Sequence, residues 1–142
     1  MPSATYNKFN LTVQDWLNAG MNLSSDTFKV MLSNTTPVAT NNVKTDITEI
    51  SAGNGYTAGG ATTTVALSNS SGTETVTATP VTFTATGAGS IGPFQYAVVY
   101  DSTTNYLIGW FNYGSAVTLN GVSSDSSTIT FGSGGNQLFT LV

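Results

Sequence analysis

The chain has 142 residues, with three Lys, seven acids, no Arg, no His and no Cys, for a formal charge of −4. That length fits one domain with one core, and the missing residue types exclude thiolate and imidazole metal ligation, imidazole acid–base catalysis and guanidinium clamps for phosphate. Three cations, Lys8, Lys29 and Lys44, are too few to grip a nucleic-acid backbone or an anionic membrane surface.

The first pattern along the chain is helical. Phe9, Val13, Trp16, Leu17 and Met21 recur at the spacing of one helix face, which predicts a helix over about 8–20 with Gly20 as its stop. Period two follows at 27–32, where Phe28, Val30 and Leu32 face one way and Lys29 and Met31 the other, the signature of a half-buried strand. Residues 34–62 then read as a long arm with four glycines between 53 and 60. So long a connection inside a domain implies either a functional arm that reaches over a neighbour or a short helix near 46–50. From residue 63 the chain is strand after strand. The runs are 64–67, 75–79, 81–86, 94–100, 106–113, 116–119, 127–131 and 138–142, with Pro80 marking an edge or bulge. Segments 94–100 and 106–113 read as a hairpin about the loop 101–105. Asn120-Gly121 and Gly134-Gly135 are turn dipeptides. About eight short strands with polar turns and one N-terminal helix predict a mostly β chain, an antiparallel sandwich of jelly-roll type, in a single domain spanning 1–142.

Little in the chain supports catalysis. Asp46 and Glu49 are spaced i, i+3 and would share a helix face, but nothing sets a second acid opposite them for glycoside chemistry. Asp101 with Asn105 offers hard oxygens of the kind that suit Ca²⁺, without an EF-hand spacing. Gly53-Asn54-Gly55 and Gly87-Ala88-Gly89 match neither phosphate-loop fingerprint in full. Ser and Thr abound, yet no base stands ready to activate one. The aromatics Tyr96, Tyr100, Tyr106, Trp110 and Tyr113 fit a strand core better than a sugar-stacking platform. No catalytic, metal-binding or cofactor-binding residue is assigned, and no cofactor is expected. Residues 1–9 lack an apolar signal core, and no apolar run approaches the length of a membrane span. Synthesis in the cytoplasm without a secretory signal is the expectation.

Charged residues are only 7% of the chain, against roughly a quarter in an ordinary domain. Two readings fit: a surface covered permanently by neighbours, or a Thr/Ser/Asn-rich β protein that stays soluble as it is. The blocks 25–34 (SDTFKVMLSN), 37–40 (PVAT), 46–56 (DITEISAGNGY), 89–100 (GSIGPFQYAVVY) and 107–114 (LIGWFNYG) weigh on this choice. Together they resemble a family of small virion proteins of tailed bacteriophages and prophages, of capsid-decoration (cement) type. The resemblance covers most of the chain and is weakest at 63–80 and 121–137. It implies a non-enzymatic protein, made in the host bacterial cytoplasm, that sits on the outer capsid surface of the virion. Its partners would be the major capsid protein and copies of itself, as a homo-oligomer of two or three chains, with no nucleic acid and no membrane. The residues placed at the capsid or neighbour contact are Trp16 on the helix and Asn41, Asn42, Asn54 and Tyr56 on the arm. The other reading is a tail or fibre module that binds a host surface glycan.

Overall fold

Residues 94–100 and 107–113 carry apolar side chains on both strand faces, so this hairpin has to be covered on both sides. The computed structural model, which describes residues 4–132 and 136–142, places it at the centre. Strands β7 (Ser90–Asp101) and β8 (Leu107–Asn120) pair antiparallel in a five-stranded sheet ordered β1-β8-β7-β2-β3. Its other members are β1 (Thr5–Lys8), β2 (Phe28–Ser33) and β3 (Ala61–Thr63). Strands β4 (Val65–Ser70), β5 (Thr73–Ala78) and β10 (Gln137–Leu141) form a second sheet, ordered β10-β5-β4. Strands β6 (Val81–Thr84) and β9 (Ser126–Ile129) form a pair. The chain is mostly β and antiparallel with one short helix, as its sequence predicts.

The smaller sheets cover one face of the large one in a sandwich-like arrangement. That main core joins Phe28, Val30 and Leu32 of β2, Phe94, Ala97 and Val99 of β7, and Ile108 and Phe111 of β8 to Val76, Phe83, Ile129 and Phe139 of the smaller sheets. The opposite face holds a second cluster: Met31, Tyr96, Val98, Tyr100, Leu107 and Trp110, capped by Phe9 and by Ile47 of the arm. The alternation at β2 is as predicted, but Met31 is fully buried, so the strand is buried on both faces rather than half-buried.

One extra residue sets the phase of β8. Val99 lies opposite Gly109 and Tyr100 opposite Leu107, so Ile108 is a β-bulge. The bulge lets Leu107 join the second cluster while Ile108 enters the main core. The carbonyl of Ile108 accepts from the Phe9 N–H at 3.2 Å and from the buried hydroxyl of Thr12 at 2.8 Å, and that hydroxyl also lies 3.2 Å from the Leu107 carbonyl.

The N-terminal segment departs from its helical reading. The helix α1 runs only Thr12–Leu17, and residues 5–8 form β1 on β8. A short helix is marginal by itself, and here the unpaired side of β8 offers residues 5–8 backbone partners. Ala19 takes a positive φ of 58°, which ends the helix before Gly20. Leu17, predicted on the buried face, is 73% exposed, while Met21 is buried beyond the helix end. Segments 106–113 and 116–119 merge into one strand through Gly114, which has φ 77°. With β1 and β3 added, ten strands are present among the described residues. The predicted Gly134-Gly135 turn lies outside them.

Thr12→Val keeps the side-chain shape and deletes the donor to two bulge carbonyls. It is expected to cost about 1–2 kcal/mol, read as a lower urea midpoint with an unchanged slope.

Candidate functional site

The arm is held down by one carboxylate. Glu49 lies in extended backbone bridged to Ser33, and the Ile50 N–H donates to the Leu32 carbonyl at 3.0 Å. The Glu49 carboxylate accepts from the Tyr56 hydroxyl at 2.6 Å, from the Gly59 N–H at 2.6 Å and from the Lys44 ammonium at 3.0 Å. Tyr56 also accepts from the Leu32 N–H at 3.0 Å, and Tyr100 donates to the Gly59 carbonyl at 2.8 Å. The Lys44 ammonium stands 5.7 Å from the centre of the Tyr100 ring. Thus β2, β7 and both halves of the arm meet at Glu49. Asp46 does not share a helix face with it. A single 3-10 turn spans Lys44–Asp46, and Asp46 turns back to accept from the Asn42 and Val43 N–H groups at 2.8 and 3.1 Å. Those bonds hold its carboxyl below the usual range.

Glu49 also borders an open groove of about 450 Å³. One wall is residues 48–54 of the arm, and the other is the start of β7, from Ser90 to Pro93 with its cis Gly92-Pro93 bond. The Asn54 amide donates to the Ser90 carbonyl at 3.0 Å and ties the walls together. The lining is mostly neutral hydroxyls and amides, including Asn34, Thr35, Thr48 and Ser51.

Two phenol hydroxyls, those of Tyr56 and Tyr100, stand at this junction. Burial, then the bond to Glu49, pushes the Tyr56 hydroxyl far above its ordinary value. Burial, then the charge of Glu49, pushes Tyr100 up to about 12. Both stay protonated near neutrality and act as donors. Apart from the Glu49 carboxylate, which is paired with Lys44, the polar groups that line the groove are neutral hydroxyls and amides.

A second polar knot closes the β7–β8 loop. Asp101 is fully buried, and its carboxylate accepts from the Thr103 N–H at 2.7 Å and the Thr104 hydroxyl at 2.7 Å. Its oxygens serve its own turn, and Asn105 contributes a backbone N–H to the Asp101 carbonyl rather than a side-chain ligand. Burial first, then the neighbouring Asp26 carboxyl, raises the Asp101 pKa, against the pull of Thr103 and Thr104. Among the described residues no three of Asp, Glu, His or Cys gather as a metal cluster would require.

The five contact residues read from sequence do not form one patch. Trp16 is half-buried, edge-on to Phe139 at 6.2 Å. Asn41 bonds within its own loop to the Val38 N–H at 2.8 Å, and Asn42 accepts from the Leu107 N–H at 2.9 Å. Tyr56 is 3% exposed, so its ring is core and not contact surface. Asn54 alone is exposed, on the groove at the opposite end of the hairpin from Asn42. The arm therefore folds onto its own sheet. Of the five aromatics weighed as a sugar platform, Tyr96, Tyr100, Trp110 and Tyr113 are buried and Tyr106 half-buried. Sequence reasoning missed the Glu49 junction. The signal available was a lone acid beside a Tyr and a Gly-rich turn that needed an anchor. Compared with protein-family models, curated proteins and solved structures, the chain matches none.

Tyr56→Phe removes the partner of the buried Leu32 N–H and a donor to Glu49. The expected cost is about 1–3 kcal/mol in denaturant unfolding. For Asp101 the folded pKa is raised, so its stabilising contribution is complete below the unfolded value of about 3.9 and is lost as pH rises through the raised folded value. Asp101→Asn mimics the protonated form. Its melting temperature is expected to fall less than that of the parent chain between about pH 4 and pH 7.

Proposed function

We propose that this chain is a non-enzymatic capsid decoration protein of a tailed bacteriophage. It binds the assembled major-capsid lattice on the outer surface of the virion and stabilises the head. The observation that carries the reading is the convergence of the sequence blocks. Blocks 46–56 and 89–100 supply the two walls of the exposed groove, and block 25–34 contributes Asn34 at its end. The segments that resemble phage decoration proteins are thus ones that line an exposed groove, which supports reading it as the contact surface.

The physical logic is that of a clip. A ligand that binds only the assembled, expanded shell stabilises it by mass action. Many weak contacts on symmetric sites add avidity without any single strong one. A neutral polar groove on a fixed β frame meets those needs: it seats a loop of the capsid protein through hydrogen bonds and demands no compensating charge. Made in the host cytoplasm, the protein joins the head there, and copies of it meet on the lattice as a homo-oligomer.

The test is co-sedimentation of the purified chain with undecorated particles of its phage. The expected result is binding to expanded shells and not to free capsid protein, with a higher disruption temperature for the decorated particles. Ala52→Glu alters an exposed position on the groove wall. It should weaken shell binding by about tenfold or more, roughly 1.4 kcal/mol, with unchanged melting of the isolated chain. Failure of the parent chain to bind any form of the shell would sink the reading.

A further inference from the structure

Strand β4 is the open edge of the three-stranded sheet. Its hairpin with β5 turns through Ser71 and Gly72, both with positive φ, and the register closes on Ser70 opposite Thr73. In a two-residue turn of this kind the closing pair is hydrogen-bonded. Alternation then directs the backbone groups of Ser70, Ser68 and Ala66 toward β5, and those of Asn69, Leu67 and Val65 outward. The Thr79 N–H donating to the Thr64 carbonyl at 2.9 Å keeps the same alternation. Among the described residues nothing pairs with the outward groups. The edge carries no charge, no Pro and no bulge, the usual guards against pairing. By contrast, β1 ends in Lys8, and β3 packs against β6.

The side chains repeat the theme. Phe139 lies opposite Val76, and Val76 opposite Leu67, which makes an apolar row across the sheet. Phe139 and Val76 are buried, while Leu67 is 42% exposed, so the row stops at the open edge.

We propose that β4 is a self-association edge, where two copies of this chain pair β4 with β4 antiparallel about a two-fold axis at Leu67. The outward groups at 65, 67 and 69 are symmetric about 67, so the edge complements itself. Leu67 pairs with Leu67 of the second copy, and Val65 with its Asn69 in both directions. Three such pairs, each exchanging two bonds, give about six backbone hydrogen bonds. The apolar rows join across the axis in one six-stranded sheet. In a chain of net charge −4 this strand is neutral, so the axis brings no like charges together. The nearest acid, Glu74, is one strand back and is held by the Asn69 amide at 3.1 Å. A charged partner peptide would find nothing on this edge to answer it. The inference deepens the self-association part of the proposed function. Its test contains no capsid, so failure of either leaves the other standing.

The measurement is mass in solution by sedimentation equilibrium. The parent chain is expected at twice its 14.7 kDa mass. Leu67→Lys and Leu67→Glu should each drop to the single-chain mass, with unchanged circular dichroism. An equimolar mixture of the two should return to the doubled mass, because residue 67 faces itself on the axis. Asn69→Pro deletes one outward N–H and leaves the ladder to β5 intact, so it should also lose the dimer even if a charged variant folds poorly. A monomeric or trimeric parent chain, a Leu67→Lys chain that remains dimeric, or a Lys/Glu mixture that stays monomeric would overturn the proposal.

Discussion

The structure depends on one constraint: the β7–β8 hairpin is apolar on both faces, and neither face can be left to water. Ala97, Val99 and Phe111 demand cover on one side, and Tyr96, Val98, Tyr100 and Trp110 on the other. A sandwich usually solves half of this problem, since its outer faces are polar. Here the small sheets cover one side, and the N-terminal segment and the arm cover the other with Phe9 and Ile47. The order of elements along the chain follows. The chain crosses the second face at Phe9 before β2 and at Ile47 after it, while Met21 and Leu23 of the stretch leading into β2 belong to the main core. Each irregular stretch then needs its own polar anchors, because backbone groups brought near a core must be paired. Thr12 at the bulge and Glu49 in the arm supply them.

What was legible in the sequence, and what was not, follows from the range of the interactions involved. Alternation at Phe28, Val30 and Leu32, the hairpin around residues 101–105 and the turn at Asn120-Gly121 are local signals, and all appear where the residues put them. The short β1 was illegible because four residues become a strand only by using β8, a hundred positions away. The helix was overextended because Phe9, Val13, Trp16 and Met21 are indeed all at least half-buried, but Phe9 belongs to the second cluster and the other three to the main core, Met21 from beyond the helix end. Helical spacing records that residues are covered, not that one continuous helix presents them. The burial of Met31 shows the same limit, since period two cannot say whether the second face is wet.

The candidate site was less legible than the fold, again for a physical reason. Reading 34–62 as an arm rested on its glycines and its lack of periodicity, and both features are real. Gly55 and Gly60 have positive φ, and a Cβ at either would collide with the backbone of Thr84 or Val30. Those glycines permit close packing rather than motion. The same residues that suggested a loose arm allow the arm to lie flat on its own sheet, and Tyr56 becomes core instead of contact. What stays exposed is the rim of that packed arm, with Asn54 bonded to the Ser90 carbonyl.

The low charge of the chain reads differently once the polar contacts are seen. Lys44 with Glu49 is the one salt bridge among the described residues. Other carboxylates accept from neutral donors within their own turns, and neutral pairs tie strands together: Thr82 with Thr128 at 2.8 Å, Gln95 with Asn112 at 3.1 Å, and the Thr63 hydroxyl on the Thr79 carbonyl at 2.7 Å. Such bonds are not screened by salt, whereas exposed ion pairs weaken as ionic strength rises. The few acids that matter are split in sign, Asp46 held below its ordinary pKa by donors and Asp101 above it by burial. Acidification therefore weakens one loop while relieving the other. A frame tied by such bonds depends little on the ionic strength around it, and the rim of its groove presents hydroxyls and amides with few charges.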